Sequence, residues 1–207
     1  MSIFSRFLGA RRLRKAVGVL ATALLVTGML SAAAAPRSPV AVPVDTSACF
    51  HDETGNQECA STQSELRRLV LGKYKKVMVS SHEEFLEILR LGIYESQPVP
   101  AGTQATYALG TLFTDANYSG NYITYYTSNS SQCYGSFYSY NFPTIGNNDQ
   151  ASSFYGQGGC QVKLFEHAYY GGVGYGYYDC RSNLANVGYN DVASSVSFFL
   201  TTTYSCF

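Results

Sequence analysis

The stretch Leu112-Phe113-Thr114-Asp115-Ala116-Asn117-Tyr118-Ser119-Gly120 returns 52 residues later as Leu164-Phe165-Glu166-His167-Ala168-Tyr169-Tyr170-Gly171-Gly172. Leucine, phenylalanine, alanine, tyrosine and glycine keep their places in both copies. An aromatic pair five apart, with glycine two residues beyond, suits a strand hairpin folded back so that the rings stack over the turn. The glycine is free to take a positive φ that other residues resist. The ring contact contributes about 0.5–1.5 kcal/mol beyond burial. Asn117 sits where such a hairpin often needs left-handed backbone, which asparagine tolerates. Its Asn-Tyr-Ser sequon therefore reads as structural, and Asn129-Ser130-Ser131 is the other match to that pattern.

A second pair of signatures follows. Asn148-Asp149-Gln150-Ala151-Ser152-Ser153 aligns with Asn190-Asp191-Val192-Ala193-Ser194-Ser195, now at an offset of 42. The first copy thus carries ten more residues between its signatures, with Cys133 among them. Asn and Asp bond their own backbone and Ser hydroxyls cap it, so each run suits a tight polar loop. Val196 and Phe198 continue with strand alternation, which feeds the second loop into a buried strand. Sixteen of the 18 tyrosines lie beyond about residue 106, among Gly, Ser, Thr and Asn, with Lys163 and Arg181 as the basic residues there. Short aromatic and β-branched runs broken by turn residues predict an all-β sandwich or barrel.

These residues resemble the βγ-crystallin superfamily. Its Greek-key motif has an aromatic, four residues, an aromatic, one residue and glycine; Phe113, Tyr118 and Gly120 match it, as do Phe165, Tyr170 and Gly172. Microbial calcium-binding members add a loop of the form [N/D]-[N/D]-x-x-[S/T]-S, which both Asn-Asp runs match at every fixed position. The resemblance implies an all-β, βγ-crystallin-like sandwich of two Greek-key motifs over residues 106–207; it says nothing about residues 36–105, whose own pattern predicts a short, partly helical segment. It also implies calcium between the paired loops. The side-chain ligands would be Asp149 with Ser152, and Asp191 with Ser194. Backbone carbonyls would come from Thr114, Glu166, Gln150 and Val192, with the assignment of hairpin to loop left open. Oxygen donors with few carboxylates suit a hard cation held with modest affinity, on the order of micromolar to sub-millimolar.

Residues 1–35 read as a signal peptide: Arg6, Arg11, Arg12, Arg14 and Lys15, an apolar run from Ala16 to Leu30, then Ala33-Ala34-Ala35-Pro36. Without them nine basic side chains face 14 acidic ones, which argues against nucleic acid as the partner. No other run is long enough to span a membrane. All six cysteines, Cys49, Cys59, Cys133, Cys160, Cys180 and Cys206, lie in the mature part and suit a secreted, disulfide-bonded chain. Cys49 and Cys59 are close enough to close a local loop, and the other four allow three pairings.

Residues 36–105 differ in chemistry, holding seven of the nine remaining basic and nine of the 14 acidic side chains. Pro36 to Thr46 reads as an extended, mobile arm. Thr62 with Glu65 and Ser81 with Glu84 predict two capped helices. Leu66, Leu69, Val70, Tyr74 and Val77 would face inward from the first. Phe85, Ile88 and Leu89 would do so from the second, and Gly92 would end it. Gly72 and the β-branched Val77 and Val79 make the first helix the weaker.

The alternative reading is a secreted metalloproteinase inhibitor or killer-toxin-like protein on the same fold. Its working loop would be the insert around Cys133 or the glycine-rich run before Cys160. An enzyme is not expected, since His51, His82 and His167 are scattered and neither GxSxG nor HExxH occurs. His51 reads as a loop histidine beside a local disulfide rather than a zinc ligand, and His167 as a surface residue. The tyrosines also offer stacking faces to carbohydrate, although packing in a small β core is the favoured account of them.

Overall fold

The computed structural model describes residues 47–134, 139–200 and 206. The leader and the Pro-rich arm lie outside these residues. In chain order the elements are β1 (Ala48–Asp52), β2 (Gln57–Ala60), α1 (Gln63–Tyr74), β3 (Lys76–Val79), α2 (His82–Leu91), β4 (Ile93–Tyr94) and β5 (Gln97–Pro98). The repeated region supplies β6 (Gln104–Asp115), β7 (Ser119–Thr127), β8 (Tyr140–Phe142), β9 (Ser153–Gly156), β10 (Cys160–His167), β11 (Gly171–Tyr178), β12 (Cys180–Arg181) and β13 (Ser195–Leu200).

The two copies of the repeat exchange a strand. One sheet runs β12-β9-β6-β7 and continues through β1 and β2; the other runs β11-β10-β13-β8. Strand β8 comes from the first copy but pairs β13 of the second, and β12 from the second pairs β9 of the first. Each sheet is therefore three strands of one copy closed by the third strand of the other. Alternation sends Ile123 and Tyr125 of β7 inward, where they join Leu112, Phe142, Phe154, Leu164, Val196 and Phe198 between the sheets. Tyr125 and Phe142 meet edge to face at 4.6 Å across the two sheets.

The segment before the repeats is built into the first sheet. Strand β1 lies parallel to β7, with Ala48 opposite Tyr122 and Asp52 opposite Tyr126, and β3 lies parallel to the start of β6. The connection from β3 to its parallel neighbour β6 runs through α2, while α1 crosses from β2 to β3 and packs Leu66 and Val70 with Phe50, Met78, Ala108 and Tyr126 on the outer face. Cys49 and Cys59 sit directly opposite each other on β1 and β2 and are bonded. The remaining disulfides are Cys133–Cys160 and Cys180–Cys206.

Both helices are capped where the sequence places them. Thr62 accepts from the Glu65 amide and Ser81 from the Glu84 amide, each at 3.2 Å. The glutamates do not return the bond to the cap residue itself. Glu65 accepts from the Ser61 hydroxyl, and Glu84 from the Ser80 amide. Gly92 ends α2 in the left-handed region. Three inward assignments are corrected. Val77 belongs to β3 because Lys75 turns left-handed and stops α1 first, and Leu69 and Leu89 are exposed on the far faces of their helices.

Candidate metal centre

Both Asn-Asp loops hold their aspartate in left-handed backbone, Asp149 at φ 53° and Asp191 at φ 55°. Aspartate tolerates this because its short side chain bonds locally. The neighbouring asparagine does the bonding: Asn148 Nδ2 donates to Asp149 Oδ2 at 2.8 Å, and Asn190 Nδ2 to Asp191 Oδ2 at 2.6 Å. The last two serines of each loop anchor to the hairpin of their own copy. Ser152 and Ser194 amides donate to the Phe113 and Phe165 carbonyls, each at 2.8 Å. Ser153 Oγ donates to Asp115 O and accepts from the Tyr118 amide; Ser195 does the same with His167 and Tyr170.

The hairpins that receive these bonds are alike. Phe113 meets Tyr118 and Phe165 meets Tyr170 edge to face, at 5.9 and 5.5 Å. Residues 117, 118, 169 and 170 all have positive φ, so two consecutive left-handed residues make each turn. Gly120 follows at φ 78°, where a Cβ would lie 2.5 Å from Thr114 Oγ1 and 2.6 Å from Asp115 Oδ2, so any other residue is strained there and pushes those side chains aside.

The two loops meet, and they cross. Ser194 Oγ donates to Asp149 Oδ1 at 3.1 Å, and Ser152 Oγ to Asp191 Oδ1 at 3.3 Å. The backbone repeats the exchange, Asp149 N to Ala193 O at 2.9 Å and Asp191 N to Ala151 O at 3.1 Å. The Asp–Ser contacts present thus run across the loops, whereas the expected calcium ligands were grouped within each loop, Asp149 with Ser152 and Asp191 with Ser194. Hairpin assignment follows from the same bonds. Ser152 is tied to Phe113, next to Thr114, so Thr114 and Ser152 group with Asp191 and Val192. By the same relation Glu166 and Ser194 group with Asp149 and Gln150. Ala151 and Ala193, fully buried where the loops touch, were not singled out from the sequence. Their repetition at the fourth loop position was the available signal, since only a small side chain lets the two backbones approach.

The exchanged strands, paired hairpins and crossed loops define one architecture. Solved structures of similar fold include a βγ-crystallin domain from Flavobacterium johnsoniae, at 24% identity over 46% of this chain and 98% of that one, TM-score 0.34. Others are a βγ-crystallin domain from Clostridium beijerinckii (19%, 44% and 97%, 0.32) and a βγ-crystallin from an archaeon (19%, 43% and 94%, 0.32). The fold is that of a βγ-crystallin domain. The likeness is one of fold alone, and no protein-family model or curated protein matches the chain.

In this βγ-crystallin domain the side chains that meet at the crossed loops offer only oxygen, one carboxylate and one hydroxyl in each pair. Oxygen atoms about 2.4 Å from one calcium ion lie roughly 3 Å from each other, close to the Asp–Ser separations seen here. Asp149 and Asp191 are exposed, so an ion can reach them, while Ser152 and Ser194 are buried and fixed. The donor set fits calcium. Among the described residues no three His, Cys, Asp or Glu side chains come together. Beside Glu166, burial and then the carboxylate charge push the Tyr189 hydroxyl up to about 12, which keeps it a donor to Val173 O at 2.7 Å.

The other sequence-singled residues fall elsewhere. His51 is not in a loop: it lies in β1, buried between Tyr125 and Phe142 with the Gln57 amide 3.1 Å from its ring nitrogens. His167 is exposed on its hairpin. The insert around Cys133 and the glycine-rich run before Cys160 are joined by their disulfide, although residues 135–138 of that insert lie outside the described residues.

Proposed function

We propose that this is a disulfide-braced extracellular βγ-crystallin protein that binds two calcium ions at its crossed loops and performs no catalysis. One ion is held by Asp149, Gln150, Ser194 and Glu166, the other by Asp191, Val192, Ser152 and Thr114. The crossed Asp–Ser contacts carry this reading, because they aim hydroxyl and carboxylate oxygens from different repeats at one point. Three disulfides fit an oxidising compartment, and no described helix is long and apolar enough to cross a membrane. Calcium bound to the folded state alone stabilises it by about 2.7 kcal/mol at a hundredfold excess over Kd. Each ion also ties the first repeat to the second, so filling the sites fastens the sandwich.

Calorimetry tests both the metal and the crossing. Asp149→Ala is expected to remove one calcium site and leave the other. Adding Ser194→Ala then changes nothing further, whereas adding Ser152→Ala weakens the surviving site. Unchanged stoichiometry in Asp149→Ala/Asp191→Ala would falsify the assignment.

A further inference from the structure

Under α1, on the outer face of the first sheet, lies a cavity of about 450 Å³, within the size range of small-molecule sites. Its floor is aromatic, with Tyr122 and Tyr126 from β7 and Tyr155 from β9. Gln63 and Arg67, one turn apart on α1, form the opposite wall, and Gln157 closes one end. The site is composite, since the helix comes from the segment before the repeats and the floor from the first repeat.

Two of its polar atoms are buried without a partner among the described residues. Arg67 Nε is a donor and Gln157 Oε1 an acceptor, and both residues line this cavity. Buried polar groups are nearly always satisfied, so each such atom calls for an explanation. Of the other polar groups lining it, Tyr122 donates to Gln63 Oε1 at 2.6 Å, and the Thr111 and Thr124 hydroxyls bond each other at 2.9 Å.

The unmatched pair discriminates among ligands. A carboxylate or phosphate accepts from Arg67 but offers nothing to Gln157 Oε1. An ammonium does the reverse. The Arg67 charge, moreover, is already met by Glu95 at 3.0 Å, which removes the case for an anion. Hydroxyl groups both donate and accept, and the apolar face of a sugar ring packs on flat aromatic side chains. We propose that this cavity binds a neutral saccharide unit, its ring against the tyrosine floor, one hydroxyl accepting from Arg67 Nε and one donating to Gln157 Oε1. This gives the tyrosine-rich outer face and the N-terminal helix a joint role that is independent of calcium.

The test uses the full oxidised chain with neutral gluco-, manno-, galacto- and chito-oligosaccharides as probes, and oligogalacturonate as the anionic control, read by ligand-detected NMR. Neutral probes are expected to bind in chelator as well as in calcium. Gln157→Met and Arg67→Lys should each weaken binding about tenfold, the loss of one hydrogen bond, at an unchanged melting temperature. Gln157→Glu keeps an acceptor and retains binding, which separates a lost contact from a disturbed fold. No binding of any neutral probe at about 10 mM, a weaker interaction than about 3 kcal/mol of affinity, overturns the proposal and leaves a hydrated cavity. So does preference for the anionic probe, or binding that neither Gln157→Met nor Arg67→Lys weakens.

Discussion

Tyr169 holds φ 58° while three quarters of its surface lies in solvent, and its counterpart in the first repeat is Asn117 at φ 60°. Left-handed backbone costs an ordinary residue about 1–2 kcal/mol and costs asparagine less. Tyr169→Asn gives up little burial, so it is expected to stabilise the fold by about 1 kcal/mol and raise the melting temperature by a few degrees. A lowered melting temperature would mean that the Tyr169 ring has a contact worth more than the strain. At this scale much was legible. Asn117 and the glycines of both hairpins announced their backbone, because a φ preference belongs to the residue itself, whereas the left-handed Tyr118, Tyr169 and Tyr170 go against theirs and were not foreseen. The partner of Asp149 was not legible. Ser152 is three residues away in sequence, but the contact is with Ser194, 45 residues on.

At the level of elements, capping residues found both helices because N-caps act within one turn. The limits of α1 were less visible: Val77 continues the apolar spacing of the helix, yet Lys75 ends it and Val77 packs in β3 under Tyr94 and Tyr107. Spacing cannot distinguish a buried strand residue from the next turn of a helix. The short strands β1 and β3 were not anticipated, because a strand with all five residues buried shows no alternation. Their pairing has a consequence. A fragment of residues 103–207 exposes the edge of β7 and the outer-face residues Tyr122 and Tyr126. It is expected to melt well below the full chain and to self-associate in light scattering. A monomeric fragment with the full chain's stability would show that the N-terminal strands are ornament to an independent sandwich.

For the molecule as a whole, the vulnerable point is His51, which sits in the first sheet and touches Phe142 of the second. Burial lowers its pKa from 6.5 to about 4, against an upward pull from Asp52. The unfolded chain therefore takes up a proton on this ring before the folded one does. Stability is unaffected above about pH 6.5 and is lost as pH falls toward about 4. From about pH 7 to about pH 4.5 the loss is about 2 kcal/mol. Asp52 acts lower: burial alone would raise its pKa, but bonds from Lys76, Thr54 and Asn56 outweigh this and depress it, so its contribution disappears only below the ordinary carboxylate range. His51→Phe is expected to flatten the melting temperature between those two pH values. An undiminished acid loss in that variant would place the sensitive group elsewhere.

The sequence by itself determined that two homologous hairpin-and-loop units would form, which residues would bend each turn, and where the helices would begin. These are local matters, set by φ preferences, capping and alternation over a few residues. Tertiary structure alone decided the strand exchange between the repeats, the crossing of Asp149 and Asp191, and the docking of β1, β3 and α1 on the first sheet. Those outcomes depend on which apolar faces must be covered together. Phe142 finds Tyr125 and Phe198 only when β8 joins the second sheet, and Phe50 is sealed only between α1 and Tyr126. Burial is a property of surfaces brought together from distant parts of the chain, and no short stretch of residues contains it.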